Sequence, residues 1–385
     1  MTLTNSDILN LVALRHDLHR HPEVSGNEAR TAQRIVQEFA PLSPDTLITD
    51  LGGHGVAVVF DGSEDGPTVL FRCELDALPI YETGTPAHRS HIEGVGHLCG
   101  HDGHMAILMG LARLLSRQRP ARGRVVLLFQ PAEETGAGAR AVLEDPRWPE
   151  LRPDFAFAYH NVPGHPLGEI GLRPGPGNCA SRGMQILLRG KSSHAAVPED
   201  GLSPAAAMAG LMVALPRLSQ GTIGAADFAL ATLTHACLGA PTFGIAPADG
   251  ELRVTLRTMT NARMDAMIAQ AQALVEDATD DLQVEVHWHD VFRAVVNDAE
   301  ATAVVRDAAL AGGHDIADLS RPMRWSEDFG LIGDDGARAA LLYVGAGTDR
   351  PQLHNPDYDF PDALIPIVTD LLSGVVDRIL GPAPA

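Results

Sequence analysis

The sequence predicts an α/β protein: a mainly parallel-sheet catalytic domain with helices on both faces, interrupted by an inserted ferredoxin-like α+β domain. Three observations carry this. Short apolar runs bounded by turn residues alternate with helical stretches through the first part of the chain, as a parallel sheet requires. Between 184 and 289 the order becomes strand, helix, strand, strand, helix, strand, the split-βαβ signature. From Asn297 the alternating pattern resumes, so the first domain is discontinuous.

Two helices open the chain. Ser6 suits the N-cap of the first, with Ile8, Leu11, Val12 and Leu18 on one face; Asn27 suits the cap of the second, which Pro41 ends. Apolar runs at 55–60, 68–72, 124–130 and 155–159 read as strands, with a helix over 104–117. The Gly/Pro-rich stretch 171–176 reads as a linker. Then follow a strand (184–189), a helix (204–218), two strands (228–238 and 251–258), a helix (262–278) and a strand (282–289). A strand at 340–344 and a helix near 363–380 close the chain. The expected domains are 1–177 with 295–385, and an inserted lid and dimerisation domain over 178–294.

Composition excludes some functions. Across 385 residues, 29 Lys+Arg face 49 Asp+Glu, a net charge of −20, and only Lys191 is a lysine. A nucleic-acid partner needs a basic footprint, which is missing. Four cysteines are too few for a disulfide framework in a chain this long, which points to a reducing, cytoplasmic compartment. The N-terminus lacks a basic and an apolar region, so no signal peptide is expected. The longest run of apolar or small residues, 205–215, is too short to span a bilayer, so no membrane association is expected.

Polar clusters follow the strands of the first domain. Glu74-Leu-Asp76-Ala-Leu-Pro79 follows one and Pro131-Ala-Glu133-Glu134 another; His160-Asn161 ends a third. Gly96-His97-Leu-Cys99-Gly-His101-Asp102-Gly-His104 opens a helix. Sites in open α/β sheets form at the carboxyl ends of strands, so these clusters can converge. Thiolate, imidazole and carboxylate together are the ligands of zinc and its neighbours. Cys99 and His101 lie too close in sequence to share a helix face, but can point to one spot from the loop before the helix; glycines 100 and 103 help it turn. In Glu133-Glu134, a metal on one carboxylate leaves the other as a general base.

With these motifs the sequence resembles the M20 metallopeptidases, and among them the amidohydrolase/aminoacylase branch, over nearly its whole length. The opening motif is similar in Leu14-Arg15-His16-Asp17-Leu18-His19, Pro22-Glu23 and Glu28. Ser193-His194-Ala-Ala-Val-Pro198, Glu327-Asp328-Phe329 and Leu353-His354 complete the set. The resemblance implies two divalent transition metals, zinc or manganese foremost, with cobalt or nickel as alternatives. It implies Cys99 as the bridging ligand, with His101, Glu134, His160 and His354 completing the coordination. It implies that Glu133 is the general base acting on a metal-activated water, that Asp76 orients a histidine ligand, and that His194 stabilises the oxyanion. In this family that histidine serves a neighbouring subunit, so a homodimer through the inserted domain is implied. Arg257 matches the position that binds a substrate carboxylate.

The resulting expectation is hydrolysis of the amide bond of N-acyl amino acids. A metallo-carboxypeptidase or dipeptidase acting on small peptides is the alternative, and a non-catalytic binding protein on the same scaffold ranks lower. The chain departs from the branch at Glu74 (commonly Asp), Cys73 (a small residue), Gly244 (Asn) and Val254 (Gly). Cys73, Cys179 and Cys237 read as ordinary small hydrophobes, and Lys191 as a surface group. His16, His19, His97 and His104 read as helix or supporting residues.

Overall fold

The computed structural model describes residues 2–279 and 281–382, so the last residues of the expected 295–385 segment lie outside the described residues. The chain divides into two compact units. One takes the chain up to Gly177, Val295–Ser320 and everything from Asp328; the other takes Asn178–Ala294 and Arg321–Glu327. The sequence pattern alone assigns 321–327 to the first domain. Tertiary bonds place it in the second unit: Asn178 bridges Met323 in parallel, and Arg257 donates to the Arg324 carbonyl and to Ser326 Oγ.

The first unit is built on an eight-stranded sheet. Its order is Thr46–Leu51, Gly55–Asp61, Arg122–Gln130, Glu64–Glu74, Phe155–Val162, Arg338–Gly345, Ile170–Leu172 and Ile316–Asp318. The four strands from Arg122–Gln130 to Arg338–Gly345 run parallel. Their central residues, such as Val125–Phe129, are buried on both faces, so they read as unbroken apolar runs rather than alternating ones. The strand Thr46–Leu51 was not expected. It lies on the sheet edge with mostly exposed residues, so it carries little hydrophobic signal.

Helices Asn5–Arg20, His101–Arg117, Ala299–Gly312 and Leu364–Leu380 pack against this core. The first is capped by Thr4, not Ser6. Thr4 Oγ1 accepts from the Asp7 amide and Asp7 accepts from the Thr4 amide, a reciprocal capping box. Asn27 does not cap the second helix, Ala29–Phe39; Glu28 occupies that place without a side-chain cap. The stretch 171–176 is more than a linker, since Ile170–Leu172 and Gly175–Asn178 are strands.

The second unit has a four-stranded antiparallel sheet in the order Ala229–Leu238, Asp249–Thr258, Ala180–Arg189, Gln283–Phe292. In chain order this is 2-3-1-4, the ferredoxin-like arrangement expected. Helices Ala205–Ala214 and Asn261–Ala278 cover one face. Met208, Leu211, Met264 and Met267 pack there on Ile186, Leu188, Leu252 and Val254. Val254 is 1% exposed, so the valine in place of the branch's glycine fills core.

Candidate metal centre

Parallel strands end on one edge of the sheet, and this puts the sequence clusters together. Strand Glu64–Glu74 delivers Asp76, strand Arg122–Gln130 delivers Glu133 and Glu134, and strand Phe155–Val162 carries His160. Strand Arg338–Gly345 feeds the loop to His354, whose amide donates to the Leu98 carbonyl. That bond ties two ligand-bearing loops to each other. His354 sits at φ 65, in the left-handed region that a non-glycine residue rarely adopts without support.

Cys99 and His101 meet as expected, but not from one loop. Cys99 precedes the helix and His101 is its first residue. Gly100 joins them at φ 95, and a Cβ there would come within 2.7 Å of Asn161 Oδ1. Gly103 does not shape the turn. It lies inside the helix, where a Cβ would fall 2.3 Å from the Phe360 ring.

Three overlapping groups of ligand atoms form. Cys99, His101 and His160 make one; Cys99, Glu134 and His354 a second; His101, Glu133 and Glu134 a third; within each, the atoms lie within 4.8 Å of one another. Cys99 Sγ is 3.4 Å from His160 Nε2. Glu134 Oε1 is 3.6 Å from His354 Nε2 and 3.9 Å from His101 Nε2.

The tautomers suit ligation. His101 Nδ1 donates to the Asp76 carbonyl at 2.9 Å, and His160 Nδ1 donates to the Asn161 carbonyl at 2.9 Å. Each ring therefore turns Nε2 toward the centre. His101 Nε2 is buried and has no hydrogen-bond partner. A buried ring nitrogen without a partner is costly unless a ligand fills the place. Asp76 reaches His101 mainly through its backbone. Its carboxylate lies 3.6 Å from Nδ1, and Oδ2 accepts instead from Ser25 Oγ and the Glu134 amide.

The electrostatics call for a cation. Burial, with Glu134, Glu133 and Glu74 nearby, pushes the Cys99 thiol far up. Burial opposes a charge on His101, but Glu74, Asp76 and Glu134 raise its pKa to about 10. Burial and then His104 hold His160 neutral. Buried carboxylates and a thiol in one place, beside neutral imidazole, fit a divalent transition metal.

A further group, Glu74, His101 and His104, has the composition of a metal site but is already occupied by hydrogen bonds. His104 Nδ1 donates to Glu74 at 2.6 Å and Nε2 donates to Asn161 Oδ1. Asn161 Nδ2 in turn donates to the Cys99 carbonyl at 3.1 Å and to Tyr358. Glu74 is also bonded to Arg72, which donates to Asp328 at 2.6 Å. The sequence reads His104 as a helix or supporting residue, and these bonds give it the supporting place without its partners having been named. The one signal available was Glu74 in place of the branch's Asp, a longer side chain that reaches this ring.

Two expected site residues lie in the second unit. His194 is exposed, in the pair Ser193–His194 with Ile245–Ala246. Its Nδ1 accepts from the Ala196 amide at 3.0 Å, which leaves Nε2–H as an outward donor. Arg257, on strand Asp249–Thr258, is half-buried, and its Nη1 donates to Ser326 Oγ at 2.9 Å and to the Arg324 carbonyl at 3.2 Å. Gly244 faces open space, and its carbonyl accepts from Ala195.

Comparison with known proteins adds an independent line. Residues 70–378 match the family described as peptidase family M20/M25/M40. An N-acetyl-L-cysteine deacetylase of Bacillus subtilis is 33% identical over 363 residues, covering 92% of this chain and 84% of its own. A hippurate hydrolase of Campylobacter jejuni is 27% identical, covering 91% of this chain and 92% of its own. A crystal structure from Bacillus subtilis, described as a dinuclear metal binding peptidase from the M20 family, superposes with TM-score 0.81 at 26% identity. It covers 98% of this chain and 99% of that one.

Proposed function

The chain belongs to peptidase family M20/M25/M40, and from that membership we propose that it hydrolyses the amide bond of N-acyl amino acids in a metal-dependent reaction. The observation that carries this reading is the gathering of Cys99, His101, Glu134, His160 and His354 into overlapping groups of ligand atoms, with Glu133 in one of them. The deacetylase and hippurate hydrolase relatives support small N-acyl amino acids as the substrate class.

The residues present fit two divalent ions. Cys99, His101 and His160 would hold one and Cys99, Glu134 and His354 the other, with Cys99 shared. Zinc or manganese suits this donor set best, and cobalt or nickel remain compatible. Bound there, such ions supply Lewis acidity, polarising a carbonyl and lowering the pKa of water.

The chain's own residues do the rest. Glu133, 5% exposed, takes a proton from the attacking water and passes it to the leaving amine nitrogen. Asp76 keeps His101 in the Nδ1–H form and turned toward the centre. His194 donates from Nε2 to the developing oxyanion. Arg257 takes the substrate carboxylate; its guanidinium is braced by Ser326 and has no carboxylate partner among the described residues.

Homodimerisation through the second unit and a cytoplasmic location complete the proposal. Strand Ala229–Leu238 is a sheet edge whose second half is exposed, and Leu238, Phe243 and Ile245 add apolar surface. Such an edge favours pairing with another chain. The four cysteines are free, which suits a reducing compartment. No helix of the described residues is long and apolar enough to cross a membrane.

The deciding experiment replaces Glu133 with Ala and assays a panel of N-acyl amino acids and dipeptides. Loss of hydrolysis with metal content retained is expected. Hydrolysis at the wild-type rate would refute the assigned base, and faster cleavage of dipeptides than of N-acyl amino acids would make the protein a dipeptidase. Sedimentation at micromolar concentration tests the dimer.

A further inference from the structure

Acids outnumber bases by 49 to 29 in this chain, yet among the described residues neither Arg257 nor Arg324 of the second unit pairs with one. Arg257 Nη1 donates to the carbonyl of Arg324, and Ser326 Oγ accepts from the same nitrogen. Segment 321–327 is held in this unit by ordered backbone. The Met323 carbonyl accepts from the Cys179 amide, and the Trp325 carbonyl accepts from Asn178 Nδ2 at 3.2 Å. The backbone of Arg324 is therefore fixed against the Arg257 guanidinium, with its own side chain exposed beside it. Burial, and then the charge of Arg324, lower the pKa of Arg257, and both guanidiniums act on the buried thiol of Cys179. Among the described residues no carboxylate pairs with either. Elsewhere in the unit, Arg253 pairs with Glu251 and Arg189 with Glu285.

Two neighbouring guanidiniums without a counter-charge repel each other, and an arriving anion relieves that repulsion. One carboxylate suffices for one planar guanidinium, which binds it through a fork of N–H donors. A second guanidinium calls for a second carboxylate. Because the arginines are neighbours, that second charge must lie within a few bonds of the first. This excludes the far end of an acyl chain and selects the amino-acid half of the substrate.

We propose that Arg324 is a specificity residue which, beside Arg257, selects N-acyl amino acids whose amino-acid half carries a second carboxylate, the N-acyl aspartate and glutamate class. The proposal rests on the reading of Arg257 as the site of the substrate α-carboxylate.

The test compares N-acetylglutamate with the neutral, near-isosteric N-acetylglutamine on the metal-loaded enzyme. The wild type is expected to favour the acidic substrate by about tenfold or more in kcat/KM, the scale of one charged hydrogen-bonding partner. Arg324→Gln should lower kcat/KM on N-acetylglutamate by about tenfold, mainly through KM, and leave N-acetylglutamine within about twofold. Raising the salt should shrink the wild-type preference, because Arg324 is exposed. A wild type without acidic preference, or an Arg324→Gln variant weakened equally on both substrates, overturns the proposal. Arg257→Gln separates the two readings. Loss on both substrates sustains the carboxylate assignment whatever Arg324 does, whereas no loss on either refutes that assignment and the proposal with it.

Discussion

Arg15 Nε donates to Asp102 Oδ2 at 2.8 Å across 87 residues of sequence, and both side chains are fully buried. Asp102 directly follows the candidate ligand His101. Its Oδ2 also accepts from His19 Nδ1 at 2.8 Å, so two cations clamp the helix start that carries the centre.

Removing the larger cation should be costly. Arg15 also pairs with Asp359 and Asp362, so Arg15→Met leaves Asp102 buried with only His19 to compensate it and strips both other carboxylates of this cation. A loss of about 3–5 kcal/mol is expected by denaturant titration. A loss below about 1 kcal/mol would show that the pair is replaceable.

Alkaline stability should depend on His19. Burial disfavours its charge, yet Asp102 and Glu82 accept from its two ring nitrogens and hold its pKa at about 9. The folded pKa lies above the unfolded one, so this stabilisation is full below about pH 6.5 and fades as pH rises through 9. It amounts to about 3 kcal/mol. Unfolding free energy measured from pH 6 to 10 should fall steeply in the wild type and less in His19→Gln. Parallel curves would remove His19 as the cause.

Metal affinity should depend on Asp76. Its carboxylate fixes Ser25 and the Glu134 amide while its carbonyl fixes His101. Asp76→Ala is expected to weaken metal binding about 10–100-fold with the fold kept, read by competition with a chelating dye. Unchanged affinity would reduce Asp76 to a turn residue.

Gly100 should tolerate no side chain. At φ 95, with Asn161 Oδ1 2.7 Å from any Cβ, Gly100→Ala strains the backbone and displaces the amide that holds the Cys99 carbonyl. About 1–3 kcal/mol of stability should be lost, together with metal content. Full metal content in this variant would show that the loop adapts.

The centre was legible because its donors cluster in short motifs at strand ends, where a parallel sheet must gather them. The helix periods and the inserted order were likewise local patterns. Other features depend on contacts between distant segments. Whether Thr4 or Ser6 caps the first helix turns on which amide the hydroxyl meets. Gly103 looks like a turn glycine until Phe360, far along the chain, is packed on it. His104 is fixed by Glu74 and Asn161, and Arg15 by Asp359 and Asp362, pairings that no spacing announces. Arg324 lay in a segment assigned to the other domain, so its place beside Arg257 could not be read.

The position of strand Arg338–Gly345 between Phe155–Val162 and Ile170–Leu172 has a consequence for synthesis. The ribosome completes both neighbours of this strand long before making the strand itself. At roughly 5–20 residues per second the gap is about 8–35 s. During that interval the nascent sheet has two unpaired edges, and Cys99, His101 and His160 have been made while His354 has not. The second unit, finished apart from its short 321–327 segment, is free to fold first. A pulse-chase experiment should therefore find the inserted segment protease-resistant on chains still too short to bind metal.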